Sequence, residues 1–558
     1  LSATIDPPLI RPRYAWARRG DVNAFFGLML DNIGDMILMT YLLVVKFEFP
    51  KDFVLTRMIP GTAVGVLVGD LIFTLMAFRL ARKSRRTDVT AMPLGLDTPS
   101  TFGAVFLILG PAFLAAKGRG LSPDQAAKEA WFVGISMILA SGIFKLACSF
   151  FSGLIRRMIP RAGLLGSLTA IALVLISFLP LLDIASTPVA GMTALSVILV
   201  TLTARWKLPK NIPGALAALV IGCIIYYGMN LAGLGPGLGG GEGGRPSLVF
   251  RAILPMPIAE WFEWFQATWR VSVTYLPVAI PLALGTIVGG IDCTESAASA
   301  GDNYPTGQII AAEGFATIVG GIFGGVIQST PYIGHPAYKA MGAGAAYTLA
   351  TALFIGVAGV FGFFDWIFYL LPKSAVFPIL IFVGLEITAQ SFQATPTKHY
   401  PAVALACVPA LAYLAAFAVN RLIGEGEVKP FDQLSTGSQH FLQTIMVLSG
   451  GFIITSLLWG SVLTFMIDGQ IKPAVASLIL AGACALFGII HSPLPNSPII
   501  FPNQAIADLK RLGRYEAAQL QTPYHWAAAY WLSAGLLIGL GKWGRGPSNS
   551  SEVVLPER

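Results

Sequence analysis

An all-α, polytopic membrane protein is what this sequence predicts, and three observations carry that reading. Of 558 residues, 55% are hydrophobic and only 12% charged, with mean hydropathy +0.70; a soluble chain would carry about a quarter charged residues. Apolar runs long enough to cross a bilayer recur from end to end. Within that background two stretches, residues 90–113 and 325–354, are broken by prolines and polar side chains. Pro331 and Pro336 each remove a backbone donor and push the preceding residue toward extended geometry. Such backbone at membrane depth is tolerated only where protein or a wet cavity satisfies it. One interrupted segment in each half marks the substrate site of a secondary transporter.

Composition narrows the function further. A net charge of +8, with Lys and Arg clustered beside the spans, fits cytoplasmic loops and a lipid bilayer, not nucleic acid. Cys148, Cys223, Cys293, Cys407 and Cys484 are scattered through apolar runs without metal-ligand spacing and read as packing residues. No metal and no cofactor is expected. His335, His399, His440, His491 and His525 lie far apart, and no nucleophile–base set emerges, so the chain does not read as an enzyme. No repeated filter sequence suggests a channel. The first apolar run follows RPRYAWARRG, so no cleavable signal peptide is expected.

In order, residues 1–20 form a polar, Arg-rich tail, read as cytoplasmic. A first repeat occupies 21–232. Its first span, about 25–45, carries Asp31, Asn32 and Asp35, with Asp31 and Asp35 spaced to share a helical face. The second, about 60–81, ends in RLARKSRR, the densest basic cluster, which anchors that loop to the cytoplasm. The interrupted segment is third, and further spans read at about 130–151, 162–181, 188–204 and 212–231. Arg156, Arg157 and Arg161 mark one inner loop, and Arg205, Lys207 and Lys210 another. Residues 233–270 hold an outer Gly-rich loop and IAEWFEWFQATWR, which suits a helix lying in the interface.

The second repeat, 271–470, has spans near 271–291 and 309–327, the second interrupted segment, and spans near 345–364, 374–393, 403–421 and 441–467. Residues 471–558 add apolar runs at 473–490 and 526–540. That gives 14 crossings, up to 16. Strict alternation would put Lys510, Arg511 and Arg514 outside, so one late run is expected to be re-entrant or interfacial. Thr62, Gly65 and Gly69 match Thr317, Gly320 and Gly324 at an offset of 255 residues. Both halves then run span, Gly-rich span, interrupted segment, and because seven is odd the second copy enters inverted.

GTIVGGIDCTESA, AAEGFATIVGGIFGGVIQSTPYIGHPA and KSAVFPILIFVGLEIT resemble the nucleobase–ascorbate permeases, especially the purine and uracil branches. The resemblance extends to about Gln393. It implies two inverted seven-helix repeats arranged as core and gate domains, with short extended strands in the third and tenth segments meeting at the substrate. Sulfate- and bicarbonate-type anion exchangers share that architecture. The sequence departs from the permease pattern after Tyr332. Ile333, Gly334 and His335 stand where those permeases carry an acid. Gly285 occupies the eighth-span acid position, with Asp292 and Glu295 further on.

The expected function is a permease for a nucleobase-like molecule in the cytoplasmic membrane, coupled to H+ (Na+ being the other option). The alternative is a carrier of small organic or inorganic anions. Half-helix N-termini present unpaired N–H groups and partial positive charge. The candidate substrate residues are Asn32, Asp97, Thr98, Ser100, Thr101, Thr330, Tyr332, Gly334 and His335. Asp31, Asp35, Asp292 and Glu295 are the candidates for ion coupling. Gly334 is expected to leave room and remove a negative charge, favouring an anion. A homodimer is compatible with this reading.

Overall fold

A backbone in hydrocarbon must satisfy its own N–H and C=O groups, and this chain does so almost throughout with helices. The computed structural model describes residues 14–151, 160–209, 212–234, 258–332, 334–424, 433–494, 500–512 and 520–543. Arg156, Arg157, Lys210, Ile333, Arg514, most of the N-terminal tail and nearly all of the Gly-rich loop lie outside the described residues.

The order is α1 (Gly20–Lys46), α2 (Lys51–Ser84), β1 (Leu94–Leu96), α3 (Thr98–Gly118), α4 (Pro123–Ser149), α5 (Arg161–Ala185), α6 (Pro188–Thr203) and α7 (Gly214–Leu231). Then follow α8 (Ile258–Val273), α9 (Leu276–Ser299), α10 (Thr306–Ile322), β2 (Ser329–Pro331), α11 (His335–Ala340), α12 (Ala346–Val360), α13 (Phe363–Leu370) and α14 (Lys373–Gln393). The remainder is α15 (Tyr400–Gly424), α16 (Thr436–Ser449), α17 (Phe452–Ile467), α18 (Ile471–Leu486), α19 (Pro502–Leu512) and α20 (Thr522–Trp543). The protein is an all-α polytopic membrane protein. Among the described residues nine helices are long and apolar enough to cross a membrane, or up to eleven when bent pairs count as one span. Shorter apolar helices are α6, α10 and α18.

Two runs expected as single spans are broken. Residues 345–364 bend by 95° between α12 and α13, and residues 441–467 by 73° between α16 and α17. The cause is glycine in the left-handed region: Gly362 has φ 78° and Gly451 φ 66°. The run expected at 473–490 stops at Leu486, ahead of Gly488 with φ 74°. Residues Lys510 and Arg511 sit on the short amphipathic helix α19, which buries Ala505 and Leu509.

The chain forms two compact units, each drawing on both halves. The first comprises Leu1–Ser152, Thr187–Trp269 and Thr286–Ile379, the second Gly153–Ser186, Arg270–Gly285 and Leu380–Arg558. In the second unit, α5 meets α17 where a Cβ at Gly163 would lie 2.8 Å from the Ser461 nitrogen. Beyond α18, His491 stacks on Trp526 at 3.8 Å and bonds the Tyr530 hydroxyl at 2.8 Å.

In the first unit the two Gly-rich helices α2 and α10 cross at the motif residues themselves. A Cβ on Gly65 would lie 3.2 Å from the Gly320 Cα, and one on Gly61 would lie 2.2 Å from the Gly325 nitrogen. Small residues let two backbones approach this closely. Gly61→Ala is expected to destabilise by at least about 1–3 kcal/mol, because backbone cannot swing aside as a side chain can. Thermal unfolding of the purified protein checks it, and an unchanged midpoint would show that α2 and α10 do not cross here.

Candidate functional site

Pro93 has no N–H to give, and Pro331 none either, so neither interrupted stretch can continue as helix there. Each becomes a three-residue strand, and the two pair antiparallel with Leu94 opposite Pro331, Gly95 opposite Thr330 and Leu96 opposite Ser329. Bonds from Asp97 N to Gln328 O (3.0 Å) and from Tyr332 N to Pro93 O (2.9 Å) extend the pair at its ends. The interrupted segments of the two halves therefore lie side by side.

So short a sheet leaves both outer edges open, and buried backbone groups need partners. Side chains supply them. Behind β1, Asp70 Oδ1 of α2 accepts the Leu94 N–H at 3.2 Å. Behind β2, Thr317 Oγ1 of α10 accepts the Ser329 N–H at 3.3 Å, and Lys145 Nζ of α4 donates to the Ser329 carbonyl at 3.0 Å. The same Lys145 pairs with Glu313 at 2.7 Å, both side chains wholly buried. Gly290 of α9 makes room for that carboxylate: a Cβ there would lie 3.0 Å from Glu313 Oε2.

In front of β1 stands the acidic face of α1. A Cβ at Gly95 would meet Asp31 Oδ2 at 3.2 Å, so glycine is what lets the carboxylate approach the strand. Four residues on, Asp35 Oδ2 accepts the Thr98 hydroxyl at 3.1 Å. Asn32 turns its amide to its own helix, donating to Leu28 O at 2.9 Å, with its Oδ1 left unpartnered. Asp97 caps α3, accepting Ser100 N at 2.7 Å. The Ser100 and Thr101 hydroxyls donate to Asp97 O at 3.1 and 3.0 Å, so both are committed locally. Asp292 and Glu295 lie half-buried on α9.

Two expectations about the second segment change. Gly334 does not leave room: a Cβ there would sit 2.7 Å from the Tyr332 ring and 3.1 Å from that of Tyr338. The space opened by the missing side chain is filled by aromatic rings from the same segment. His335 is wholly buried away from the strands. Its Nε2 lies 3.3 Å from Asp302 Oδ2 and 3.2 Å from Thr90 O.

Asp302 is itself a hub. It pairs with Lys339 at 2.6 Å and Arg86 at 3.3 Å, and accepts Thr90 N at 3.0 Å. Burial would raise this carboxyl, but hydrogen bonds from His335, Lys339 and the Thr90 amide outweigh it and hold it below the usual carboxylate range. Tyr304 donates to Thr90 O at 2.6 Å and Tyr347 to Ala91 O at 2.6 Å. The link from α2 to β1 is thereby fastened to the links around α10 and α11.

Sequence reasoning missed Lys145, Glu313 and Asp70. The available signal was a lone charge in an apolar run, as in SGIFKLAC, AAEGFATIVGG and GVLVGD. No family model matches the chain, and no curated protein does. Solved structures with a similar course include the transmembrane domain of a cyanobacterium bicarbonate transporter, BicA. It has TM-score 0.46 and 15% identity, covering 79% of this chain and 97% of that one. SLC26A9 aligns with TM-score 0.47 and 13% identity over 71% of this chain and 61% of its own. Murine Slc26a9, an anion transporter in the inward-facing state, gives 0.46 and 14% over 73% and 68%.

Proposed function

We propose that the chain is a secondary transporter, and specifically a proton-coupled carrier of a small anion. The observation that supports it most is the antiparallel β1–β2 pair enclosed by apolar helices. Irregular backbone in such surroundings has a use where it presents groups to a solute.

Charge argues for the coupling. Glu313 is neutralised by Lys145, whereas Asp31, Asp35, Asp70 and Asp97 have no cation in ion-pair range among the described residues. That many unpaired negative charges are costly together in an apolar bundle. Protons or cations must accompany them, and an anion enters such a site only with its charge offset. Asp35, bonded to Thr98 at the start of α3, and Asp31, against Gly95, are the acids that α1 brings to the strand pair. Against a nucleobase, the acid that would receive its N–H groups after Tyr332 is absent, and the Gly334 position is closed by two rings. The tail supports a cytoplasmic N-terminus: Tyr14 donates to Val89 O at 2.8 Å, beside the basic end of α2.

In proteoliposomes, an inward proton gradient should drive accumulation of bicarbonate, sulfate or a short carboxylate, and a protonophore should abolish it. Asp35→Asn should lose accumulation yet retain counterflow exchange. Saturable uptake of uracil or xanthine with no anion uptake would return the reading to a nucleobase. A conductance without counterflow would remove the carrier altogether.

A further inference from the structure

Asp70 stands apart from the other acids near the strands. It is wholly buried on α2; Oδ1 accepts the Leu94 N–H, and Oδ2 has no hydrogen-bond partner among the described residues. Leu94 of β1, Tyr338 of α11 and Tyr347 of α12, which lie near it, belong to one buried apolar cluster with Phe73 and Ala77 of α2. Thr74, one turn on, bonds Thr348 of α12 at 2.8 Å, and Ala316 of α10 closes on neighbouring Gly69. The titratable groups facing it are the Tyr338 and Tyr347 phenols, with Asp31 and Asp21 of α1 beyond them. None of these is a cation.

The fold supplies two internal controls. Thr317 performs on β2 the task that Asp70 performs on β1, accepting the N–H of the strand's first residue at 3.3 Å against 3.2 Å. A neutral hydroxyl therefore suffices to anchor a strand, and the second oxygen of Asp70 is surplus to that task. Glu313, by contrast, is a buried carboxyl that the bundle provides with a cation, Lys145 at 2.7 Å. Among the described residues, the Asp70 carboxyl receives a peptide N–H and nothing else.

We propose that Asp70 is a proton-binding site that exchanges its proton during the transport cycle and adjusts the hold of α2 on β1. This rests on the reading of the chain as a proton-coupled carrier. With the proton on Oδ2, Oδ1 accepts the Leu94 N–H as in a neutral pair. On release to water both oxygens become acceptors, and the bond to Leu94 becomes charge-assisted and shorter. Strand β1, and with it Gly95 beneath Asp31, is drawn toward α2.

The test uses the full chain in lipid nanodiscs, with Asp70→Asn and Asp70→Thr, the latter copying Thr317. Infrared difference titration of the wild type should show a carboxylic-acid carbonyl band that changes with pH. Both variants should lose one component of it while folding normally, with Asp70→Thr serving if Asp70→Asn does not fold. In proteoliposomes either variant should lose proton-driven accumulation at least tenfold and keep counterflow exchange. An unchanged infrared band in both variants overturns the assignment, whether or not the wild type transports. Loss of the band component in the variants, alongside a wild type that transports nothing, upholds the proton site and removes the transport reading instead.

Discussion

Replacing Lys145 by Met should be among the most damaging single changes in the protein, and replacing Glu313 by Leu should match it. Each side chain is wholly buried and each is the other's counter-ion at 2.7 Å. Removing one leaves the other as an uncompensated charge, a loss of about 3–5 kcal/mol. Removing both should cost far less than the sum. The double variant leaves no charge behind, and its remaining deficit is the 3.0 Å bond from Lys145 Nζ to the Ser329 carbonyl, which keeps the Thr317 hydroxyl at 3.4 Å. Losing one of two hydrogen bonds to a carbonyl costs about 0.5–1.5 kcal/mol. The double variant should therefore be more stable than either single one. A double-mutant cycle by denaturant unfolding in detergent measures the coupling. Losses that simply add would mean that the pair is not formed in the folded protein.

How much of this was legible depended on whether the signal was local. Pro93, Pro99, Pro331 and Pro336 announce broken segments because proline acts on its own backbone. Strands appear there, at Leu94–Leu96 and Ser329–Pro331. The i, i+4 spacing of Asp31 and Asp35 likewise placed both on the face of α1 that meets β1 and α3. The bends at Gly362 and Gly451 were not legible. With 60 glycines in the chain, nothing local separates one that turns left-handed from one that lets helices touch. The same limit hid the Lys145–Glu313 pair, whose members are odd residues in separate apolar runs until the fold joins them. Gly334 failed for a different reason. A missing side chain was read as space, but Tyr332 and Tyr338 occupy it. The 255-residue match found real neighbours, since Gly65 packs on Gly320. The strand anchors, however, equate Asp70 with Thr317, a separation of 247.

Asp302→Asn should destabilise the protein at neutral pH by about 3 kcal/mol, the lower end of what breaking a buried pair costs. The carboxylate is wholly buried, but its partners Lys339 and Arg86 keep 17% and 34% of their side chains exposed, so water takes up part of the lost attraction. The effect should depend on pH with a definite sign. Because the folded protein holds Asp302 below the usual carboxylate range, its ionised form contributes stability that is fully present above the unfolded value, about pH 4. That contribution is lost as pH falls through the folded value. The gap between wild type and Asp302→Asn should therefore be constant from neutral pH down to about pH 5 and close below about pH 4. Thermal unfolding across that range reads it directly. A gap that stays open at low pH would show that asparagine disturbs packing around Thr90 and His335, and that the charge on Asp302 does not hold the β1 link to α11.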